Sequence, residues 1–331
     1  MKRIPAPPAP KRPFTHREAL KVASTAAAAL GTVGLGLFLY DRVPPASKPL
    51  PPLKDHKIAR PAGAAQMAIV HGSDAADNTR RAIEALGGMG AFVRPGDRVV
   101  VKPNIGWNRL PEQAANSNPD VVAQVVRMVL AAGASKVWVT DNPVNNAERC
   151  FERSGILKAT GAAGGTAVLP NSGSFREVLV EGKVLHVANV LWPVVEADRV
   201  INVPIVKHHG MSAATLSMKN WYGVLGGHRV RLHQDIHRSI VDLAAMVKPT
   251  LTVLDCTRLL MANGPTGGSL DDVKRFDAVA AGIDEVALDA FGASLLGLKP
   301  EAVGFIGEAE RSGLGRSDYK SLKLVEVGGS G

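Results

Sequence analysis

The sequence predicts an α/β domain whose sheet is mostly parallel, with helices as the crossover connections. From residue 65 onward, short runs rich in β-branched residues alternate with segments of helical periodicity, which is the order of elements in β-α-β units. The composition, with 46% apolar and 21% charged residues, is that of a globular chain and excludes a disordered or fibrous protein. A length of 331 residues suffices for one large domain or two lobes, plus appendages.

Each predicted element follows from its local pattern. The run Asp-Arg-Val-Val-Val-Lys is typical of a buried strand, and Asn118 or Asp120 can cap the helix that comes next. The predicted strands are residues 97–102, 136–140, 166–169, 198–203, 251–255 and 278–283. The predicted helices are residues 118–132, 148–159, 212–224, 236–246 and 285–296.

The amino-terminal part of the chain predicts a membrane anchor and a linker. Residues 22–40 contain no charged side chain, and this length can just span a bilayer as a helix. Residues 1–21 form a basic tail, which we expect to stay on the cytoplasmic side. Residues 41–64 are proline-rich and predict a stiff, extended spacer. The α/β domain then occupies residues 65–331.

A motif just before the apolar run predicts export of the domain. Residues 15–21, Thr-His-Arg-Glu-Ala-Leu-Lys, resemble the twin-arginine signal, with His16 in place of the first Arg and Ala19 in place of the usual Phe. The ordinary secretory route is an alternative that delivers the domain to the same side. No convincing Ala-x-Ala site follows Tyr40, and the nearest small-residue candidate is Pro45-Ala46-Ser47, which favours an uncleaved signal anchor over cleavage. We therefore expect a single-pass protein of the cytoplasmic (inner) membrane with its domain on the periplasmic, extracytoplasmic side.

The net charge of +9 lies almost entirely in the amino-terminal segment. Residues 1–60 carry 11 basic and 3 acidic side chains, whereas residues 61–331 carry 28 and 27. Because a nucleic-acid-binding protein needs a basic face on its folded domain, we expect no nucleic-acid partner.

The two cysteines limit the cofactors of this chain. Cys150 and Cys256 stand far apart and form no C-x-x-C motif, so this chain alone cannot ligate an iron–sulfur cluster or a structural zinc ion. Cys256 lies within an apolar run, which favours two unpaired thiols over a disulfide.

Polar residues follow several predicted strands at the point where each strand ends. They are Lys102 and Asn104, Asp141, Lys207 with His208 and His209, Asp255, and Asp284. Ligands of open α/β sheets bind in the crevice beyond the carboxyl ends of the strands, so these side chains predict a common site. Helix caps and loop tips are the competing interpretation, since polar residues serve there too.

The same residues carry a resemblance to a known family. The blocks that carry it include residues 99–105, 118–120, 197–210, 215–223, 251–255, 263–268, 284–289 and 313–315, together with His233. Their order and spacing resemble the family named domain of unknown function 362, over residues 68–327. Many members carry ferredoxin-like cysteine clusters and are described as iron–sulfur proteins, whereas this chain lacks such clusters. The resemblance implies a membrane redox complex or an iron–sulfur protein as a candidate partner.

We expect the strand-end residues to bind a small anionic ligand. Several ammonium groups in one crevice suit a carboxylate or phosphate, and a lysine with a lowered pKa can act as a base or form a Schiff base. The predicted catalytic residues are Lys207, Lys219 and Asp255. The predicted ligand-binding residues are Lys102, Asn104, Asp141, His208, His209, Asn220, Asn263, Gly264, Thr266, Gly267 and Asp284. An ion-pair network that only locks the loops together is the alternative.

Histidines cluster in the same stretch of sequence. Five of the nine lie within thirty residues: His208, His209, His228, His233 and His237. Imidazoles that converge with an aspartate would suit a divalent metal, and the predicted ligands are His209, His233 and Asp255. Hydrogen-bonded loop histidines are the competing interpretation, and no other cofactor is indicated.

The glycine-rich segment Asn-Gly-Pro-Thr-Gly-Gly at residues 263–268 predicts a loop that an anion can approach. Its glycines let backbone N–H groups come close to a bound anion, although an ordinary tight turn explains them equally well. No Gly-Lys-Ser/Thr follows, and the Rossmann spacing is absent, so neither standard nucleotide site is predicted.

Two functions follow from these patterns. The first is a membrane-anchored extracytoplasmic protein whose strand-end site binds a small anion, with or without a metal; whether it catalyses a reaction stays open. The second is a non-catalytic accessory subunit of a membrane redox or secretion complex. For the first, we expect one cavity to be lined by Lys102, Asn104, Lys207, His209, Lys219, Asp255 and Asp284.

Overall fold

The structure is a computed structural model that describes residues 49–60, 62–227 and 229–328. The predicted basic tail 1–21 and signal anchor 22–40 lie outside the described residues, as do residues 41–48 of the spacer and His228. Among the helices that the model describes, none combines the length and the apolar character needed to cross a bilayer.

Within these residues the chain forms twelve strands. They are β1 (Met67–His71), β2 (Arg98–Pro103), β3 (Lys136–Val139), β4 (Thr166–Ala167), β5 (Phe175–Leu179), β6 (Val187–Leu191), β7 (Arg199–Val203), β8 (Ile205–His209), β9 (Ala213–Thr215), β10 (Leu251–Leu260), β11 (Val273–Gly282) and β12 (Leu324–Val327).

The described α-helices number eight. They are α1 (Ala75–Ala85), α2 (Pro119–Ala131), α3 (Ala147–Arg153), α4 (Ile156–Ala162), α5 (Trp192–Glu196), α6 (Ile236–Val247), α7 (Glu285–Leu295) and α8 (Gly304–Arg311). Two longer 3-10 segments, Met218–Val224 and Arg229–Asp235, lie between β9 and α6.

The predicted α/β fold with a mostly parallel sheet is confirmed. The main sheet has the order β12-β1-β11-β10-β7-β2-β3-β4, with β8 and β9 attached beside β10. Every neighbouring pair from β10 to β4 is parallel, and β12 is parallel to β1. Strand β11 is antiparallel to both of its neighbours. The carboxyl ends of β10, β7, β2, β3 and β4 therefore lie at one edge of the sheet, and that of β11 lies at the opposite edge.

Helices cover both faces of this sheet, which explains why its strands are almost continuously apolar. Successive residues of a strand point to opposite faces, so Val99 and Val101 pack into one core while Val100 packs into the other. The first core includes Ile83 of α1 and Val122 of α2. The second core includes residues of α6, α7 and α8.

Helix α2 begins where the sequence predicts, and the physical cause is visible. The Asn118 side chain accepts a hydrogen bond from the Asp120 backbone N–H at 3.0 Å, and Pro119 occupies the first helical position. The expected free thiols are also found, since Cys150 and Cys256 are both buried and unpaired.

Two predicted helices differ from the structure. The helix predicted at 148–159 is divided into α3 and α4 by Gly155, whose φ of +75° ends the first helical path. The helix predicted at 212–224 is wrong. That segment instead forms β9, antiparallel to β8, and then the 3-10 turns Met218–Val224.

Three strand boundaries also differ by two residues or more. Strand β4 ends at Ala167, whereas β10 continues to Leu260 and β11 begins at Val273. The two long strands pair with each other along an antiparallel hairpin, and this partner extends both of them beyond the apolar runs that predicted them.

The part of the spacer that the structure describes lies against the domain. The compact unit begins at Pro51, within the predicted spacer 41–64. The hydroxyl of Thr250 donates a hydrogen bond of 2.7 Å to the backbone oxygen of His56, whose ring is fully buried. Burial lowers the pKa of His56 to about 4, so this ring is neutral at pH 7. Residues 51–60 are thus part of the folded unit, not an extended connection.

Candidate functional site

A cavity of about 550 Å³ opens at the carboxyl ends of β2, β3 and β8. Its charged lining residues are Lys102, Asp141, Lys207, Lys219 and Arg229. Its other polar lining residues include Asn104, Asn142, His209, Asn220, Tyr222 and His233. The strand-end argument thus brings Lys102, Asn104, Lys207 and His209 into one cavity, and Lys219 and Asn220 join them from the segment after β9.

A buried ion pair forms the floor of this cavity. The Nζ of Lys102 lies 2.8 Å from Oδ1 of Asp141, and both side chains are almost inaccessible to solvent. The ammonium also donates to the side-chain oxygen of Asn220 at 2.8 Å and to the backbone oxygen of Pro103 at 3.0 Å. The other carboxylate oxygen of Asp141 accepts the backbone N–H of Ile105 at 2.6 Å. Burial lowers the pKa of Lys102, and the charge of Asp141 opposes that shift.

A chain of amides connects this pair to the second lysine. Asn104 donates from Nδ2 to the side-chain oxygen of Asn220 at 2.9 Å. The Nζ of Lys207 donates to Oδ1 of Asn104 at 3.0 Å and to the backbone oxygen of Ala115 at 2.6 Å. No carboxylate contacts Lys207 among the described residues, and burial lowers its pKa to about 7. The nearby ammonium groups of Lys219 and Lys102 add to that shift, which the charge of Asp141 opposes.

Lys219 differs from the other two lysines in its contacts. Its side chain is only 6% exposed, and its Nζ lies 4.1 Å from the centre of the Tyr222 ring. Among the described residues, this ammonium makes no hydrogen bond and no ion pair. Burial lowers the pKa of Lys219 to about 7, and the positive charge of Arg229 adds to that shift.

The two cavity histidines present different ring nitrogens. Nδ1 of His209 accepts the backbone N–H groups of Met211 at 3.1 Å and Ser212 at 3.4 Å, so the proton of the neutral ring is on Nε2. Burial, together with the charges of Lys219 and Lys207, lowers the pKa of His209 to about 3. This ring is therefore a neutral N–H donor at pH 7.

His233 has the opposite tautomer when it is neutral. Its Nδ1 lies 3.2 Å from the backbone oxygen of Val230, which can only accept, so the proton is on Nδ1, and Nε2 is an acceptor without a hydrogen-bond partner among the described residues. Burial and the charge of Lys219 lower the pKa of His233. The cavity therefore contains one neutral imidazole that donates and one that accepts from Nε2.

Arg229 and Gly223 hold the loop after β3 in place. The guanidinium of Arg229 donates to the backbone oxygens of Asn142 at 2.6 Å and Pro143 at 2.7 Å. Gly223 lies so close to the floor that a Cβ there would come within 1.8 Å of Oδ1 of Asp141. Only glycine fits this close approach without a rearrangement.

Two buried carboxylates outside the cavity position its lysine-bearing segment. Glu285, at the start of α7, accepts Nε1–H of Trp221 at 2.9 Å and the amide of Asn202 at 2.7 Å. Asp289 accepts the backbone N–H groups of Ser217 at 2.6 Å and Met218 at 3.1 Å. These contacts hold the turns that carry Lys219 and Asn220 over the sheet edge.

The prediction that Asp255 lines the cavity is wrong. Its strand does not end there but continues to Leu260, so Asp255 lies within the sheet. Its carboxylate is fully buried and accepts the backbone N–H of Asn118 at 2.7 Å and the hydroxyl of Thr257 at 2.7 Å. It holds the start of α2, and burial raises its pKa.

Asp284 does not line the cavity either. It follows β11, whose antiparallel direction carries it to the opposite edge of the sheet. There it caps α7 by accepting the backbone N–H of Ala287 at 3.0 Å, and it also accepts the N–H of Arg316 at 2.9 Å. Capping, the competing interpretation, is therefore the correct one for this residue.

The glycine-rich loop meets the cavity at two residues. Gly264 and Pro265 line it, whereas Asn263 donates from its side chain to the carboxylate of Asp272 at 3.0 Å. The backbone oxygens of Thr266 and Gly267 accept hydrogen bonds from Arg109.

His208 lies beside this loop, outside the cavity lining, and its Nδ1 accepts the Gly264 N–H at 3.2 Å.

The predicted metal ligands are not brought together as a set. His209 and His233 line the cavity, whereas Asp255 does not. In the described ranges, no three His, Cys, Asp or Glu side chains are arranged to hold a metal ion.

Several lining residues were not predicted as site residues from the sequence, among them Trp107, Val144 and Arg229. Arg229 comes soon after the cluster of Lys219 and Asn220, and that proximity is the one signal that could have indicated it.

The fold and the site define an α/β protein with a cation-rich cavity at the carboxyl edge of its sheet. The chain belongs to the family described as "Domain of unknown function (DUF362)", whose model matches residues 99–294. It is 31% identical over 251 residues to the thylakoid-associated protein sll1697 of Synechocystis, covering 71% of this chain and 74% of that relative.

Two solved structures are similar at low identity. The lactate racemase apoprotein from Thermoanaerobacterium thermosaccharolyticum is 12% identical with a TM-score of 0.41, over 74% of this chain and 61% of that chain. A protein from Thermotoga maritima is 9% identical with a TM-score of 0.36, over 73% of this chain and 60% of that chain. The chain thus spans about three fifths of each of these two structures.

Proposed function

We propose that the cavity binds a small organic anion, a carboxylate or a phosphate, and that Lys219 is its main charged contact. One observation carries this proposal. Lys219 is a buried cation inside a cavity, and the described residues offer it neither a hydrogen-bond acceptor nor a counter-ion. Burying a charge costs much free energy unless it is paired, so a ligand that supplies the missing charge gains affinity.

The surrounding groups support an anion over a cation. Four lining side chains are lysine or arginine, whereas Asp141 is the one carboxylate among the described lining residues. That carboxylate is already paired with Lys102. The neutral His209 adds an N–H donor on Nε2, so Lys219 and His209 together present two donors to a ligand oxygen.

Lys207 and Lys102 contribute charge, not direct contact. Each ammonium is already bonded to protein oxygens on the floor; the charge of Lys102 is balanced by Asp141, whereas Lys207 adds to the positive potential of the cavity. The predicted catalytic roles of Lys207 and Lys219 stay predictions, because anion binding requires only their charge.

Calorimetric titration of the purified full-length chain tests this proposal. Sodium acetate and inorganic phosphate are each titrated at constant ionic strength into the wild type and the Lys219→Gln variant. A charge-assisted hydrogen bond contributes roughly 1.5–3 kcal/mol, so we expect the variant to bind about tenfold to a hundredfold more weakly.

The matched control is Lys274→Gln, which removes an exposed lysine that is not part of the cavity lining. It should bind both anions as the wild type does. No saturable binding of either anion by the wild type, or equal binding by the Lys219 variant, contradicts the proposal.

We also propose that residues 22–40 hold this protein at a membrane. The uncharged stretch with its basic flank supports this, and the name of the 31% identical relative describes that protein as thylakoid-associated. Leu35→Arg should release the protein into the soluble fraction, because a charge inside a membrane span is costly. Ala46→Arg, in the proline-rich segment, is the control. Retention of both variants in the membrane fraction would contradict the anchor.

A further inference from the structure

The rim of the cavity, which is its most exposed part, carries three large apolar side chains. Eight large apolar side chains are exposed in the described part of the chain, and three of them line this one cavity. These are Val144 at 61% exposed, Met211 at 59% and Val230 at 75%. Single exposed apolar residues need no explanation, whereas these three belong to the lining of one cavity.

Three separate segments supply these side chains. Val144 is in the loop after β3, Met211 is in the turn after β8, and Val230 is in the 3-10 segment Arg229–Asp235. Each of these three segments therefore contributes one exposed apolar residue to the cavity lining.

The charged and the apolar lining residues lie at different depths in the cavity. Lys102, Lys207 and Lys219 are at most 6% exposed, so the charges lie deep, whereas the apolar rim is more than half exposed. A ligand that enters this cavity meets cations at its inner end and apolar side chains at its outer end. The volume of about 550 Å³ is that of a pocket for a drug-sized ligand, far larger than acetate or phosphate needs.

We propose that the natural ligand is an amphiphilic anion, whose carboxylate or phosphate lies at Lys219 and whose apolar chain lies along Val144, Met211 and Val230. This inference rests on the proposed function, since it needs an anion at Lys219. The apolar chain covers side chains that are otherwise exposed to water, and that burial provides affinity in addition to the charge contact.

A homologous series of ligands tests the inference. Acetate, butyrate, hexanoate and octanoate are titrated into the purified full-length chain, and each titration is corrected by a blank that lacks the protein. Complete burial of one methylene strengthens binding roughly fourfold. We expect the affinity to rise between twofold and fourfold per methylene and then to level off when the chain extends beyond the rim.

A parallel series compares inorganic phosphate, butyl phosphate and octyl phosphate. The two series distinguish the head groups. A gain with chain length in either series supports the inference, and the series with the higher affinity identifies the head group.

Variants of the rim separate this inference from general hydrophobic binding. Met211→Ser and Val230→Ser should each reduce octanoate affinity at least threefold while leaving acetate affinity unchanged. Leu270→Ser is the matched control, because Leu270 is 61% exposed and does not line this cavity. It should leave both affinities unchanged.

The outcomes distinguish this inference from the proposed function. If acetate and octanoate bind equally well, and phosphate and octyl phosphate do too, the amphiphilic ligand is wrong while the anion site stands. If the rim variants weaken acetate and octanoate to the same extent, the rim does not contact the chain and the inference is wrong. If no anion of any length binds, the proposed function itself is wrong.

Discussion

The lysines on the floor of the cavity, Lys102 and Lys207, differ from Lys219, on its wall, in the partners of their ammonium groups. On the floor, Lys102 is paired with Asp141 at 2.8 Å, and Lys207 donates to two protein oxygens. On the wall, Lys219 is 6% exposed, and its ammonium lies over the face of the Tyr222 ring without a hydrogen bond or ion pair among the described residues. The three residues share a type and a cavity but differ in their partners.

Lys102 and Lys207 thus have partners within the protein, whereas Lys219 has no hydrogen-bond or ion-pair partner among the described residues. A lysine whose donors are satisfied by the protein stabilises the native state, and its removal leaves a partner uncompensated. A buried lysine without partners destabilises the native state, and the ligand that we propose would offset this cost by supplying the missing partner. Four measurements test whether the lysines differ in this way.

The largest effect is expected for Lys102→Met. The substitution leaves the Asp141 carboxylate buried without its cation, which typically costs 3–5 kcal/mol. The free energy of unfolding, measured with urea at pH 7, should fall by about that amount.

The matched variant is Lys219→Met, which removes a buried charge that has no described partner. Its free energy of unfolding should stay within about 1 kcal/mol of the wild type or increase. Equal destabilisation by the two variants would remove the distinction between floor and wall.

The next effect concerns the close approach of Gly223 to the floor. A methyl group there would come within 1.8 Å of Asp141 and 2.6 Å of Lys102, so Gly223→Ala should destabilise the protein by up to about 3 kcal/mol. Gly210→Ala is the control, because no atom lies within 4 Å of a Cβ at that position. A melting temperature of Gly223→Ala equal to that of the wild type would show that the Lys102–Asp141 pair can move to make room for the methyl group at little cost.

A smaller effect is expected for the pH dependence of anion binding. The pKa of Lys219 is about 7 without ligand, and a bound anion raises that pKa. Below pH 7 the lysine is already protonated and the affinity for acetate is constant. Above pH 7 binding requires uptake of a proton, so the affinity falls by up to tenfold per pH unit, or about 1.4 kcal/mol.

Titration calorimetry from pH 6 to 9, in buffers of different ionisation enthalpy, measures both the affinity and the proton uptake. A fall steeper than tenfold per unit would show that Lys207, whose pKa is also about 7, titrates together with Lys219. A flat profile would contradict the role of either ammonium.

The smallest effect is expected for Asp284→Ala, which tests a residue that lies away from the cavity. Loss of a helix cap typically costs about 1 kcal/mol, so the free energy of unfolding should decrease by that amount. Acetate affinity should not change. A large loss of anion binding would show that Asp284 takes part in the anion site, and would contradict its assignment as a helix cap only.

Much of the fold and half of the site follow from the sequence by itself, because the patterns that predict them involve residues close together in the chain. Runs of β-branched residues and a capping Asn118 depend on their own neighbours, so the parallel strands and α2 are predictable. Because parallel strands end at one edge, the convergence of Lys102 and Lys207 is predictable too.

Only the tertiary structure decided which of the other predicted residues line the cavity, because this depends on how segments that are distant in sequence pair and pack. Asp255 and Asp284 follow apolar runs just as Lys102 does, yet one lies inside a strand that its hairpin partner extends, and the other follows an antiparallel strand to the opposite edge. The buried, partnerless state of Lys219 and the exposure of Met211 depend on how loops meet over the sheet. A sequence pattern specifies which groups are present, whereas packing determines which of them remain without a partner.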